Sequence, residues 1–195
     1  MTRFSHALLI VAAAALLIGA AALTFTVDRT GLQGFDGSIA VHRLGSVPLV
    51  NDREERIVIG RSARGTVVVL GYTRCRDECP LTLSRLAIAL AAARPDRRPD
   101  AFFVTVEPRY DTPSVLHRYV RPWSGLITGV TGRTDDLRAF YADLGSFDPG
   151  SRYRDHDTRV FILNQDGYVA QELSPEASPE QLQAGWNASA TPFMQ

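Results

Sequence analysis

One stretch, Thr66-Val-Val-Val-Leu-Gly-Tyr72, narrows the folds open to this chain more than any other. It is short, uninterrupted and β-branched, the pattern of a strand covered on both faces. Directly behind it comes Thr73-Arg-Cys-Arg-Asp-Glu-Cys79-Pro80. Residues 80–93 follow, with Leu81, Leu83, Leu86, Ile88 and Leu90 predicting a helix that is apolar on more than one side. Pro80 suits the first helical position, where its missing N–H is not needed. Strand, loop and helix in that order form a βα unit, and open α/β sheets carry their sites at the carboxyl ends of such strands.

The rest of the chain repeats the alternation. Residues 44–50 and 56–60 flank a polar stretch and predict a hairpin. Residues 101–106 read as a second buried strand. Asp111-Thr112-Pro113 is a helix-start signal leading into a helix over 114–120. A short strand is expected over 126–130, and Thr134 is expected to cap a helix reaching about Leu144. Residues 159–163 and 168–172 predict two strands joined by a turn at 164–167. Ser178-Pro179 then opens a last helix ending near Ala188. The order implies an α/β domain with a largely parallel centre and an antiparallel edge. With 195 residues in all, one folded domain over 40–195 is the expectation. Residues 30–39, carrying Gly31, Gly34 and Gly37, read as a tether.

Ahead of the tether, Arg3 and His6 precede an apolar run over 7–27 with no charge before Asp28. That is close to the roughly 20 residues a helix needs to cross a bilayer. The run continues past the small residues 19–22, where a signal peptidase would cut. Residues 1–29 are therefore read as an uncleaved signal-anchor in preference to a cleaved signal peptide. Arg3 favours a cytoplasmic N-terminus. The expected location is thus the cell inner membrane, crossed once, with the soluble domain in the periplasm. Formal net charge is zero, so no global field draws the chain to nucleic acid. All 21 basic residues are Arg, which excludes lysine Schiff-base chemistry.

Cys75 and Cys79 are the only cysteines and lie four apart. A disulfide framework would spread more of them along the chain, so the pair reads as a redox or metal motif. A helix N-terminus next to them carries partial positive charge and favours thiolate. Arg74 and Arg76 add to that, while Asp77 and Glu78 oppose it. The loop can close a disulfide if the α-carbons approach within about 7 Å. It can equally let both sulfurs meet one soft ion, Cu(I) or zinc. A structural zinc site normally takes four protein ligands, and beyond the cysteines the domain offers His42, His117 and His156. His156 is the best third ligand. It precedes a predicted strand, and Asp155 and Asp157 flank it and can orient its ring. His42 and His117 read as ordinary surface residues. Thiol–disulfide exchange is the competing chemistry and has no need of His156. A peroxidase built on Thr73, Arg74 and Cys75 fits poorly with Cys79-Pro80 so near.

Three segments together resemble the Sco/SenC family of copper chaperones. Gly71-Tyr-Thr-Arg-Cys-Arg-Asp-Glu-Cys-Pro80 is similar to that family's cysteine loop. Val104-Thr-Val-Glu-Pro-Arg-Tyr-Asp-Thr-Pro113 is similar to its Asp-Pro-x-x-Asp-Thr-Pro segment. Asp155-His156, followed by a strand and the Asp166-Gly167 turn, is similar to its distal histidine segment. The resemblance implies a thioredoxin-like α/β fold, a mixed sheet flanked by helices behind one transmembrane helix. It implies copper, Cu(I) or Cu(II), on Cys75, Cys79 and His156, with Asp77 and Asp155 beside the ligands and a redox disulfide between Cys75 and Cys79. The implied partners are a haem–copper oxidase subunit as copper acceptor and a thiol reductant protein. Asp77 and Asp111 match family positions. Glu107, Arg76 and the sequence Asp-His-Asp-Thr around His156 depart from the family pattern.

Overall fold

The structure is a computed structural model, and it describes residues 42–145 and 158–189. Its strands are β1 (Leu49–Asn51), β2 (Arg56–Ile57), β3 (Thr66–Gly71), β4 (Asp100–Thr105), β5 (Thr128–Thr131), β6 (Val160–Leu163) and β7 (Val169–Leu173). Its helices are α1 (Glu78–Ala92), α2 (Pro113–Val120), α3 (Thr134–Asp143) and α4 (Pro179–Ser189). The strands form one sheet in the order β2-β1-β5-β4-β3-β6-β7. β3, β4 and β5 run parallel at its centre. β6 runs antiparallel to β3 and β7 to β6 on one side, and β1 runs antiparallel to β5 and β2 on the other.

Every residue of β3 is buried, because both faces of the sheet are covered. Successive side chains of a strand point to opposite faces. Val67 and Val69 therefore pack with Leu83, Leu86 and Leu90 of α1, Leu116 of α2 and Trp186 of α4. Val68 and Leu70 pack with Leu137 and Phe140 of α3. Full burial of each such Val or Leu contributes about 1.5–3 kcal/mol, so a polar residue in place of Val67, Val68, Val69 or Leu70 would weaken one core or the other.

Several boundaries differ from the sequence expectation, each for a local reason. α1 starts at Glu78, so Cys79 and Pro80 sit inside its first turn. Proline is tolerated there because none of the first-turn N–H groups has an intrahelical acceptor. β1 covers only Leu49–Asn51. Leu44 is buried, but its N–H bonds the Gly167 carbonyl at 3.0 Å and not a hairpin partner. β5 begins at Thr128 because the Leu126 and Ile127 N–H groups turn back to the Trp123 carbonyl. Thr134 is the first helical residue of α3, and the capping position falls on Arg133, whose side chain makes no capping bond. Asp135 and Asp136 in the first turn supply the favourable charge. At α4, the Ser178 N–H bonds Gln181 Oε1 at 2.8 Å and the Gln181 N–H bonds Ser178 Oγ at 3.3 Å, a reciprocal capping box.

The expected membrane segment (1–29) and tether (30–39) lie outside the described residues. Among the described residues no helix is long and apolar enough to cross a membrane.

Candidate metal centre

The two cysteines sit where the carboxyl end of β3 meets the start of α1. Gly71, the last residue of β3, makes room for them. A Cβ there would lie 2.6 Å from the Phe103 ring and 2.9 Å from Cys79 Sγ, closer than real side-chain carbons come. The chain then turns so that the Cys75 N–H bonds the Tyr72 carbonyl at 3.2 Å. Cys75 Sγ accepts the Cys79 N–H at 3.3 Å. The side chain of Asp77, at the capping position, makes no capping bond. An electron-rich sulfur thus occupies the positive end of α1, where an acceptor is most favoured.

The thiols differ in environment. Cys75 is partly exposed, whereas Cys79 is fully buried. Burial pushes the Cys79 thiol up to about 12, against lowering contributions from the Tyr72 backbone and the Thr158 hydroxyl. Cys79 Sγ and Thr158 Oγ1 are 3.6 Å apart. Thr158 precedes β6, and because β6 is antiparallel to β3 it returns to the carboxyl end of β3. The adjacent Arg159 carbonyl accepts the Leu70 N–H at 3.1 Å.

A second loop, between β4 and α2, holds the cysteine loop in place. Fully buried Asp111 accepts the Thr73 N–H at 3.0 Å, the Thr73 hydroxyl and the Thr105 hydroxyl. Tyr141 of α3 donates in turn to the Thr105 carbonyl. Nearer the surface, Arg74 grips Glu107 through Nε at 3.0 Å and Nη2 at 2.8 Å, and stacks 3.9 Å over the Tyr110 ring. Such a planar fork matches a carboxylate in a way an ammonium would not.

The expected site residues divide as follows. Cys75 and Cys79 come together as free thiols. Asp77 lies between them, exposed. Asp155 and His156 lie outside the described residues. His117 is exposed on α2 and pairs with Asp52 at 2.9 Å. Among the described residues no third His, Cys, Asp or Glu joins the two sulfurs to make a metal-binding group. The donor chemistry fits a soft ion: two thiols adjoin at the positive end of a helix. The Tyr119 hydroxyl is buried with no hydrogen-bond partner among the described residues. Burial first, and then charge on Cys79 and Cys75, raises its pKa.

Sequence reasoning missed Thr158, Tyr119 and the Thr73–Asp111–Thr105 clamp. Asp111 had a signal, its family position, but not the role. For Thr158 no pattern in the sequence points to a thiol neighbour.

A family model described as SCO1/SenC matches residues 49–190. The chain is 25% identical to a SCO2-like protein of Rickettsia felis, across 93% of this chain and 97% of that protein. Among solved structures it is similar to Arabidopsis thaliana ScoI with copper bound (TM-score 0.63, 20% identity, 73% of this chain and 94% of that one). It is also similar to BsSco, described through its disulfide switch as a member of the Sco family of cytochrome c oxidase assembly proteins (TM-score 0.64, 12% identity, 78% and 95%). At those identities the likeness is one of fold, and the fold is the thioredoxin-like mixed sheet flanked by helices.

Proposed function

The chain belongs to the SCO1/SenC family, and from that premise we propose that it is a copper chaperone whose cargo is held by Cys75, Cys79 and His156. The observation that carries this reading is the meeting of Cys75 Sγ with the Cys79 N–H at the start of α1, beside Thr158. The two thiols supply soft donors once deprotonated, so binding releases protons and requires the reduced pair. His156 is two residues from Thr158, and chain connectivity keeps their α-carbons within about 7.6 Å of each other. Copper bound to the Arabidopsis relative supports the choice of metal, and the family to which BsSco is assigned supports cytochrome c oxidase assembly as the setting. In this reading residues 7–27 anchor the protein in the inner membrane and the domain meets an oxidase copper subunit in the periplasm. Asp77 and Asp155 lie beside the ligands.

A second reading, thiol–disulfide exchange, is favoured by the contrast between the two thiols and by the disulfide switch of BsSco. The partly exposed Cys75 thiolate attacks a partner disulfide and displaces one partner thiolate. Cys79, deprotonated in the process, then displaces the other. The partner leaves as a dithiol, and the chain retains a Cys75–Cys79 disulfide until a thiol reductant protein returns two electrons and two protons.

Anaerobic titration of the reduced protein with Cu(I) against a competing chelator separates the readings. One tightly held ion, lost in Cys75→Ser and Cys79→Ser and weakened in His156→Ala, is the result expected. Equal binding by wild type and His156→Ala would remove the histidine from the site. Absence of binding in wild type would leave the exchange reading.

A further inference from the structure

A polar cleft of about 690 Å³ opens at the other end of the central strands. Arg64 just before β3, Asp100 at the start of β4 and Thr128 at the start of β5 line it. The cysteines lie past the opposite ends of β3 and β4, roughly 20 Å away at about 3.3 Å per residue. The cleft therefore belongs to neither reading of the cysteine site.

Its charges are unequal. Arg53, Arg64, Arg98 and Arg121 face three carboxylates, Asp52, Glu55 and Asp100. All three carboxylates have hydrogen-bond partners, but only Asp100 has a guanidinium. Asp100 takes Arg64 Nη2 at 2.8 Å and the Ser62 hydroxyl at 2.7 Å. Asp52 takes His117 at 2.9 Å, and Glu55 takes Asn51 Nδ2 at 2.7 Å. Three guanidinium groups remain without a carboxylate among the described residues. Arg98 is half-buried: its Nη2 reaches only the Ala93 carbonyl, at 3.4 Å, and its Nε has no partner. Holding a guanidinium partly out of water with its donors unused is unfavourable unless something answers its charge.

We propose that this cleft binds a small phosphate-bearing molecule, with Arg98 and Arg121 as the phosphate ligands and Arg53 at the rim. Guanidinium forks match phosphate oxygens in pairs. The volume exceeds that of an inorganic ion and falls in the range of small-molecule sites. The shared chemistry is a phosphate monoester or diester, supplied either by a free molecule or by an anionic phospholipid headgroup.

The test is calorimetric titration of the full chain in neutral detergent at about 150 mM salt, near physiological ionic strength. The probes are inorganic phosphate, glycerol phosphate, and micelles doped with phosphatidylglycerol. Saturable binding of glycerol phosphate to one site is expected, weakened about tenfold by Arg98→Gln and by Arg121→Gln. Arg98→Lys, which keeps the charge and loses the fork, should weaken it too. Arginine-dependent binding of the doped micelles alone assigns the headgroup as the source. Far-UV circular dichroism and the thiol count at the distant cysteines check that each variant is folded. Two results overturn the proposal. One is no saturable binding of any probe by the wild type, which would leave these arginines to serve the carbonyl ends of α1 and α2. The other is binding that the folded arginine variants retain in full.

Discussion

Two neighbouring loops leave the carboxyl ends of adjacent parallel strands, and they are built in opposite ways. The loop after β3 carries both thiols, and the side chain at the cap of its helix makes no capping bond. Its polar contacts run largely outward, to Asp111, Glu107 and Thr158. The loop after β4 is self-supporting. Thr112 caps α2 by accepting the Val115 N–H, and Tyr110 and Asp111 both donate to the Glu107 carbonyl. The reactive loop thus borrows its rigidity from a loop that does no chemistry itself. Such a division leaves the sulfurs free to change partners without unfolding what surrounds them.

The contrast between the thiols should produce the largest effect. Alkylation near neutral pH should modify the partly exposed Cys75 much faster than Cys79, because burial both blocks access to the Cys79 sulfur and raises its thiol pKa. Mass spectrometry of partly labelled protein reads this directly, and equal rates would break the distinction. The Cys79 thiol is raised from 9.0 to about 12 in the folded chain. A group raised on folding stabilises the native state fully below its unfolded value and loses that contribution as pH climbs toward the folded one. Urea midpoints should therefore fall more steeply between pH 9 and 12 in wild type than in Cys79→Ala.

Next in size is Asp111→Ala, which strands the partly buried Thr73 donors and the buried Thr105 hydroxyl. A loss of about 3 kcal/mol is expected, together with faster labelling of Cys79. Unchanged labelling would show that the cysteine loop stands alone after all. Gly71→Ala forces a methyl against Phe103 and Cys79 and should cost about 2 kcal/mol, measurable by the same urea curves. Thr112→Ala removes only a cap, worth about 1 kcal/mol, and should leave both labelling rates unchanged. If it altered them, the support between the loops would run through α2 and not through Asp111.

What the sequence disclosed follows from what is local. The run 66–71 is legible because burial on both faces puts apolar residues in succession at 67–70, and the cysteine loop is legible because it must follow that strand. The start of α1 was misread by two residues because proline fits any first-turn position, not the first alone. Hairpin β1–β2 is shorter than its apolar flanks suggest, since the N–H of Leu44 is claimed by the distant Gly167 carbonyl. The sheet order and the arrival of Thr158 at Cys79 depend on antiparallel pairing between segments some ninety residues apart. No periodicity encodes that pairing. Asp155 and His156 fall outside the described residues, so their part in the site rests on family likeness and chain connectivity.

The antiparallel course of β6 has a kinetic consequence. Because Thr158 is fixed against Cys79, any donor carried on the chain just upstream of it would act as a tethered reactant and not as a free one. Short tethers give effective concentrations of about millimolar or above. A third donor on this segment would therefore compete on favourable terms with free thiols and imidazoles in solution. A partner that drew the segment aside would lower that local concentration without altering either cysteine.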